Sequence, residues 1–357
     1  MFPTHQHVIP VSKCPCCLDL LADDTVIAGT YELDSAAGDD HRTGSLCIMR
    51  DKQLLLEKEC PDGGVFDLQI IPNQDDSDDV SRTASPHALV AHANGCIALY
   101  KLSADRSELS AVARCETGSC LLTSLNAIPA EASSSYWVGV GTSDGQLHML
   151  KLHDMSRFEP WISVSENRDG QPVWCVRLIR WKEKLLIFTG SDDCSWKIFV
   201  LREDSLDLEP IYRNKDAHAG VTAIQLQLQF EAESERMNGS AMIASYDENL
   251  RSYSITIDCD NGVKVVKQST QHVPGSGIWR IRSAPRFGKS ILLIAGMYSG
   301  IHAFDPEHKE LESKDWPAAS GETAESRQLI YDVIQTGNGD LIVASFYEKC
   351  LYLLCDK

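Results

Sequence analysis

The chain has 357 residues, with 33 Lys and Arg against 51 Asp and Glu, so its formal net charge is −18. This acidity, and the lack of a basic stripe with interleaved aromatic residues, disfavours direct binding to nucleic acid. No apolar run approaches the roughly 18 residues that cross a bilayer, and the start lacks the pattern of a signal peptide. These features predict a cytoplasmic protein without a membrane span.

A short turn recurs roughly every 50 residues along the chain and separates apolar runs. In chain order the turns are GTYE, HANG, TSDG, SDDC, YDEN, YSGI and FYEK. Aligned on the residue before the Asp-like position, they give Tyr31, Ala93, Ser143, Asp192, Tyr246, Tyr298 and Tyr347. A regular return of this kind is typical of a repeat array.

A second segment precedes each turn, and its apolar residues alternate as in a half-buried strand. The seven copies begin at Pro15, Val65, Leu122, Val173, Val221, Ile278 and Ile330. With the strands flanking each turn, every unit supplies four short strands. Seven such units predict an all-β fold, a seven-bladed WD-type β-propeller.

The whole chain, residues 1–357, is predicted to form one propeller because no Gly/Ser-rich or Pro-rich linker divides it. An N-terminal strand at about 7–11 is expected to pair with Cys350–Cys355 and close the last blade, which would otherwise leave edges exposed. Polar stretches near 34–42, 73–86 and 231–238 are predicted to be loop insertions.

Thirteen cysteines, several within apolar runs, indicate reduced thiols rather than a disulfide framework. Cys14, Cys16 and Cys17 raise the alternative of a zinc site, but no second Cys or His pair follows at zinc-finger spacing. No phosphate-binding Gly loop, dinucleotide fingerprint or H-E-x-x-H motif is present either. We therefore expect neither a metal nor a cofactor.

Many aromatic residues are predicted to converge on one face of the propeller. The inner strands supply Phe66, Trp174, Trp279 and Tyr331, and the turns supply Tyr31, Tyr246, Tyr298 and Tyr347. This density fits a general peptide-binding surface, or an aromatic cage for a quaternary ammonium group, whose charge is attracted to the faces of the rings. Carboxylates at Asp67, Asp192 and Asp332 would add a negative field.

Ser245, His218 and Asp247 supply the residue types of a hydrolase triad. Their places in the repeat are those of the structural network of WD blades, so we interpret His218 and Asp247 as structural. No G-x-S-x-G motif accompanies them.

Five segments together resemble the diphthine methyltransferase family, in order and at similar spacing, from about Ala28 to Leu354. They are Ala28–Leu33, Ser245–Glu248, Gly277–Ile281, Met297–Gly300 and Ser345–Glu348. Despite the family's name, its members act as diphthine methylesterases. The resemblance implies hydrolysis of a methyl ester on the modified histidine of elongation factor 2 in diphthamide synthesis, with release of methanol. That substrate carries a trimethylammonium group beside the ester.

Ester hydrolysis needs an activated nucleophile and a group that stabilises the oxyanion. We predict Asp192 as the general base and Arg280 as the oxyanion partner. A nucleophilic role of Cys16, Cys17 or Cys175 stays open. The alternative for the whole protein is a non-catalytic adaptor that grips a peptide or protein on the same face, because WD propellers bind more often than they catalyse.

Overall fold

The computed structural model describes residues 2–3, 5–34, 41–72, 85–118, 121–130, 135–202, 207–231, 235–258, 262–286, 289–305, 310–314 and 329–355. Within these ranges every regular element is a β-strand. The strands form seven antiparallel sheets, and inner strands of successive sheets contact each other around a closed ring. The predicted all-β, seven-bladed β-propeller is confirmed. Among the described residues, no helix has the length and apolar character needed to span a membrane.

The first strand of the chain, β1 (His5–Pro10), belongs to the last sheet. Blade 1 contains β2 (Cys14–Leu20), β3 (Val26–Leu33), β4 (Arg42–Thr43), β5 (Ser45–Arg50) and β6 (Gln53–Glu59). Blade 2 contains β7 (Val65–Ile71), β8 (His87–His92), β9 (Cys96–Leu102) and β10 (Leu109–Glu116). Blade 3 contains β11 (Leu122–Pro129), β12 (Tyr136–Thr142), β13 (Gln146–His153) and β14 (Arg157–Ser165).

Blade 4 contains β15 (Val173–Trp181), β16 (Lys184–Ser191), β17 (Ser195–Arg202) and β18 (Asp207–Asn214). Blade 5 contains β19 (Val221–Glu231), β20 (Arg236–Ser245), β21 (Asn249–Ile257) and β22 (Val263–His272). Blade 6 contains β23 (Ile278–Arg286), β24 (Lys289–Gly296), β25 (Gly300–Phe304) and β26 (Glu310–Lys314). Blade 7 contains β27 (Ile330–Gln335), β28 (Leu341–Ser345), β29 (Cys350–Cys355) and β1.

The two ends of the described chain meet in blade 7. Strand β1 pairs antiparallel with β29, from His5 opposite Cys355 to Pro10 opposite Cys350. The sequence placed this strand at about 7–11; Val11 lies just beyond it and donates its backbone N–H to the carbonyl of Lys349 at 2.9 Å. Of the predicted insertions, 35–40, 73–84 and 232–234 lie outside the described residues, and residues 236–238 belong to β20.

Apolar side chains from neighbouring blades form the core. Leu89 and Leu99 of blade 2, for example, pack in one cluster with Val138 and Leu150 of blade 3. Strands such as β8, β12 and β28 are buried along their whole length because another blade covers each of their faces. Burying one such leucine or valine contributes about 1.5–3 kcal/mol. The blades are thus fixed in position by face-to-face packing.

Each inner strand has a β-bulge near its start, at the third residue in blade 1 and at the second residue in blades 2 to 7. The pairing register shifts there in all seven blades, and the extra residues are Cys16, Phe66, Thr123, Trp174, Thr222, Trp279 and Tyr331. A bulge redirects a side chain away from the regular alternation of a strand. The bulges therefore set the chemical character of this end of the propeller.

Candidate functional site

The seven bulged residues fall into two groups. Cys16, Thr123 and Thr222 are small, and each donates a hydrogen bond to the first carbonyl of the next blade's inner strand, as in Thr222 Oγ1 to Ile278 O at 2.6 Å. The other four, Phe66, Trp174, Trp279 and Tyr331, are aromatic and half-buried. The small residues therefore join neighbouring blades, and the aromatic residues are available for a binding surface.

A continuous series of ring contacts, which we call the aromatic arc, consists of Phe66, Tyr31, Phe346, Tyr331, Trp279, Trp174 and Tyr246. Its first part runs through blades 2, 1 and 7. Tyr31 stacks on Phe66 with centroids 4.2 Å apart and lies 4.8 Å from Phe346, which in turn lies 4.7 Å from Tyr331. The hydroxyl oxygens of Tyr31 and Tyr331 are 3.4 Å apart.

Trp279 is the hub of the second part of the arc. Its ring lies 5.4 Å from Trp174, 5.6 Å from Tyr246 and 5.4 Å from Tyr331, at interplanar angles of 62°, 41° and 71°. Burial raises the pKa of the Tyr31, Tyr246 and Tyr331 hydroxyls, so these rings are neutral at pH 7. Tilted neutral rings around one indole provide the electron-rich faces that attract cations.

Asp192 lies at the blade 4 end of the arc. Its Oδ1 accepts a hydrogen bond from Trp174 Nε1 at 2.9 Å. The next residue, Asp193, instead pairs with Lys197 and Arg213. The first carboxylate of the pair is therefore next to the aromatic rings, and the second one stabilises the blade.

Tyr298 and Tyr347 lie at the edge of the arc, with exposures of 52% and 62%. The Tyr347 ring contacts Phe346 at 5.3 Å. The sequence pattern did not indicate Phe346, which joins blades 1 and 7 of the arc. Its turn spans four residues between the paired Ser345 and Cys350, one more than the turn between Ser191 and Ser195, so alignment of the turns selected Tyr347 alone.

Arg280 belongs to an ionic network in the central channel. Its Nη2 donates to Asp67 at 2.9 Å, and Arg282 pairs with Asp332 at 2.6 Å; all four side chains line or adjoin a cavity of about 340 Å³. Asp67 also accepts the backbone N–H of Leu125 in the next blade. The Arg280 guanidinium is thus held by a buried carboxylate, while the adjacent Trp279 is in the arc.

A comparison with curated proteins finds one relative along most of the chain. A curated protein from Saccharomyces cerevisiae, named diphthine methyltransferase, is 23% identical to the chain over 339 residues, covering 80% of this chain and 82% of that protein. The predicted resemblance to the diphthine methyltransferase family is confirmed. No protein-family model matches the chain. The residues in which the family resemblance was seen include Tyr31, Tyr246 and Trp279 of the arc.

The thiols considered as nucleophiles are buried. Cys16 Sγ donates to the carbonyl of Val65 at 2.9 Å, and burial raises the pKa of this thiol well above its usual value. Burial also raises the pKa of the Cys175 thiol to about 12. Because the thiolate is the nucleophilic form, these environments disfavour nucleophilic attack at neutral pH.

His218 and Asp247 contact each other in blade 5, but through the backbone of the histidine. The N–H of His218 donates to Asp247 Oδ2 at 2.8 Å, and Ser245 Oγ donates to the carbonyl of Ala219 at 2.9 Å. Asp247 also forms a buried ion pair with Arg251. These bonds tie the turn to the preceding loop, and the serine hydroxyl is bonded to a carbonyl rather than to an imidazole.

Proposed function

We propose that this protein hydrolyses the methyl ester of diphthine on elongation factor 2 and releases methanol, in the cytoplasm. The observation that carries the proposal is the contact of three aromatic rings with Trp279. The family resemblance supplies the substrate, and the arc suits its trimethylammonium group. The proposed step yields the free carboxylate needed for later amidation.

The trimethylammonium group would lie against Trp279, with Trp174, Tyr246 and Tyr331 around it. A desolvated cation gains about 0.5–2 kcal/mol or more from such a ring face. Asp192, bonded to Trp174, would add negative charge at the same place. The net charge of −18 favours approach of a cationic group over an anionic one.

The roles of Asp192 as general base and of Arg280 as oxyanion partner are also proposals. Asp192 lies beside the rings that would hold the substrate. This position supports contact between its carboxylate and the substrate. The ion pair with Asp67 supports a structural role for Arg280 in the channel more than contact with an ester. A general base acts on a nucleophile, so the chemical step also needs a reactive hydroxyl or a bound water as the nucleophile.

The decisive experiment incubates the purified protein with elongation factor 2 that carries methylated diphthine and follows the modified histidine by mass spectrometry. Loss of the mass of one CH₂ unit, with methanol formed in equal amount, is expected. Binding without any such loss would reject the esterase and favour the adaptor.

Trp279→Ala tests the role of the arc in binding. We expect affinity for a trimethylammonium peptide to fall roughly tenfold or more, because the hub of the arc is lost. Phe230→Ala is the matched control, since Phe230 is an exposed aromatic residue in β19 that packs near Lys182. Equal affinity of both variants would remove Trp279 from the binding site.

A further inference from the structure

Blade 6 contains a hydrogen-bonded series of a serine, a histidine and a glutamate, which we call the blade 6 relay. Ser299 Oγ lies 2.7 Å from His302 Nε2, and His302 Nδ1 lies 2.9 Å from Glu310 Oε1. In the neutral imidazole with its proton on Nδ1, that nitrogen donates to the carboxylate and Nε2 accepts from the serine. This is the arrangement that activates a serine nucleophile.

The relay differs from the equivalent positions in other blades. In blades 4 and 5 the turn supplies an acidic residue, and this acid pairs with a basic residue four positions later, as in Asp193 with Lys197 and Asp247 with Arg251. In blade 7 Glu348 likewise accepts from the hydroxyl of Tyr352. In blade 6 the turn supplies a hydroxyl, and the acid comes from the outer strand β26.

Gly296 provides the space that the Ser299 hydroxyl occupies. A Cβ at this position would lie 2.5 Å from Ser299 Oγ and 3.0 Å from the Cβ of Ser276. The same end of the second strand carries Ser191, Ser245 or Ser345 in blades 4, 5 and 7, and each of these hydroxyls is hydrogen-bonded. The glycine is therefore specific to the blade that holds the relay.

The relay adjoins the aromatic arc through the turn itself. Tyr298, the residue before Ser299, has its ring beside Gly277, where a Cβ would be 3.1 Å from Tyr298 Cε2 and 3.7 Å from Tyr246 Cδ1. Consecutive Cα atoms are 3.8 Å apart, so the backbone of Ser299 directly follows a residue at the edge of the arc. Ser299 is half-buried, whereas His302 is buried.

We propose that the blade 6 relay cleaves the ester, with His302 instead of Asp192 as the general base, an inference that rests on the proposed function. Ser299 Oγ attacks the ester carbonyl as His302 Nε2 takes its proton, and the C–O bond to the methoxy group breaks. The proton passes from His302 to the leaving methoxide to give methanol. Water, deprotonated by the same nitrogen, then releases the carboxylic acid and restores Ser299. Glu310 is a positioning residue that holds His302 in the required tautomer.

The first test treats the wild-type protein with an alkyl fluorophosphonate and maps the product by mass spectrometry. We expect one phosphonyl group on Ser299, formed as the serine oxygen displaces fluoride. Labelling should disappear in His302→Ala, although Ser299 is still present there. Absence of label on wild-type Ser299, or equal labelling in His302→Ala, would overturn the proposal.

The second test measures methanol release from methylated diphthine on elongation factor 2. Ser299→Ala should lower kcat by roughly 10³ or more, and Glu310→Gln should lower kcat by roughly a hundredfold with little change in KM. Glu310→Asp should restore part of the loss. Ser163→Ala is the matched control, because Ser163 Oγ also lies 2.5 Å from a histidine nitrogen, Nδ1 of His148, but in strand β14 of blade 3. This variant should keep the wild-type kcat.

The two tests separate the inference from the function on which it rests. An inactive wild-type protein with labelled Ser299 would reject diphthine ester as the substrate and keep the relay. An active wild-type protein whose Ser299→Ala variant is folded and equally fast would reject the relay and keep the esterase. If Ser299→Ala fails to fold, the labelling of wild-type Ser299 and the kcat of Glu310→Gln decide whether the relay cleaves the ester.

Discussion

Blades 5 and 6 are neighbours that carry the same three kinds of residue at the same end of the propeller, with opposite results. In blade 5 the hydroxyl of Ser245 bonds a carbonyl, and Asp247 binds Arg251 and a backbone N–H. In blade 6 the hydroxyl and the carboxylate meet on the two nitrogens of one imidazole. Residue type alone does not separate a structural network from a reactive one.

The inner strands of these two blades also differ, in the contacts that their bulged residues make. Thr222, the bulged residue of blade 5, bonds to the carbonyl of Ile278 in blade 6. Trp279, the bulged residue of blade 6, contacts three rings of the arc. Blade 5 therefore fastens its neighbour, and blade 6 contributes the hub of the arc that we propose as the binding site. Substitutions in blade 5 should change stability, and those in blade 6 should change activity.

The largest expected effect is on stability, from Asp247→Ala in blade 5. Removing this acid leaves the buried Arg251 guanidinium without its partner, at a cost of about 3–5 kcal/mol in the free energy of unfolding. Chemical denaturation measures this loss in the free energy of unfolding. Asp51→Asn, at a side chain that is 90% exposed and on a backbone with a φ of 49° that Asn tolerates, should cost almost nothing. Similar losses in both variants would show that blade 5 has no special structural role.

Gly296→Ala should have the largest effect on activity among substitutions outside the relay. The added methyl displaces the Ser299 hydroxyl, and a shift of about 1 Å can cost roughly a hundredfold in rate. Methanol release gives kcat, and thermal denaturation checks the fold. Ser245→Ala in blade 5 is the matched change; it should keep kcat and lose about 1 kcal/mol of stability with its hydrogen bond. An unchanged kcat in Gly296→Ala would contradict the comparison.

Acid should weaken blade 5 through Asp247. Burial opposes ionisation, but the bonds from Arg251 and from the backbone of His218 outweigh it and lower the pKa of Asp247 to about 2. A carboxyl whose folded pKa is below its unfolded value of about 3.9 stabilises the fold above that value, here by roughly 2 kcal/mol. This contribution is lost as the pH falls from about 4 to 2. Asp247→Asn should remove that part of the acid dependence of unfolding; an identical pH profile would refute the assignment.

The smallest expected effect belongs to Tyr298→Ala at the rim of blade 6. This ring is half exposed, so its contact with a cation is worth about 0.5–1 kcal/mol. KM should rise severalfold or less, with kcat almost unchanged. Steady-state kinetics distinguishes this from Gly296→Ala, where kcat falls. A large drop in kcat would place Tyr298 in the chemistry of the reaction.

The sequence predicted the fold because its signals are local and repeated. Alternating strands and a recurring turn specify a blade seven times over, and closure of the ring follows from that number. The same repeats located Trp174, Trp279 and Tyr331, since each of them is the bulged second residue of its inner strand. Phe346 was not predicted because its turn has one extra residue.

Sequence by itself determined that the chain is an acidic seven-bladed propeller, which residues mark each blade, and which family it resembles. Only the tertiary structure decided that Arg280 pairs with Asp67 across a wide separation in sequence. It also decided that the side chains of Ser299, His302 and Glu310 bond to one another, whereas Ser245, His218 and Asp247 are joined through backbone N–H groups. The physical reason is that periodicity fixes the backbone path, whereas hydrogen-bond partners depend on distances of a few ångströms between strands. Those distances are set when the blades pack.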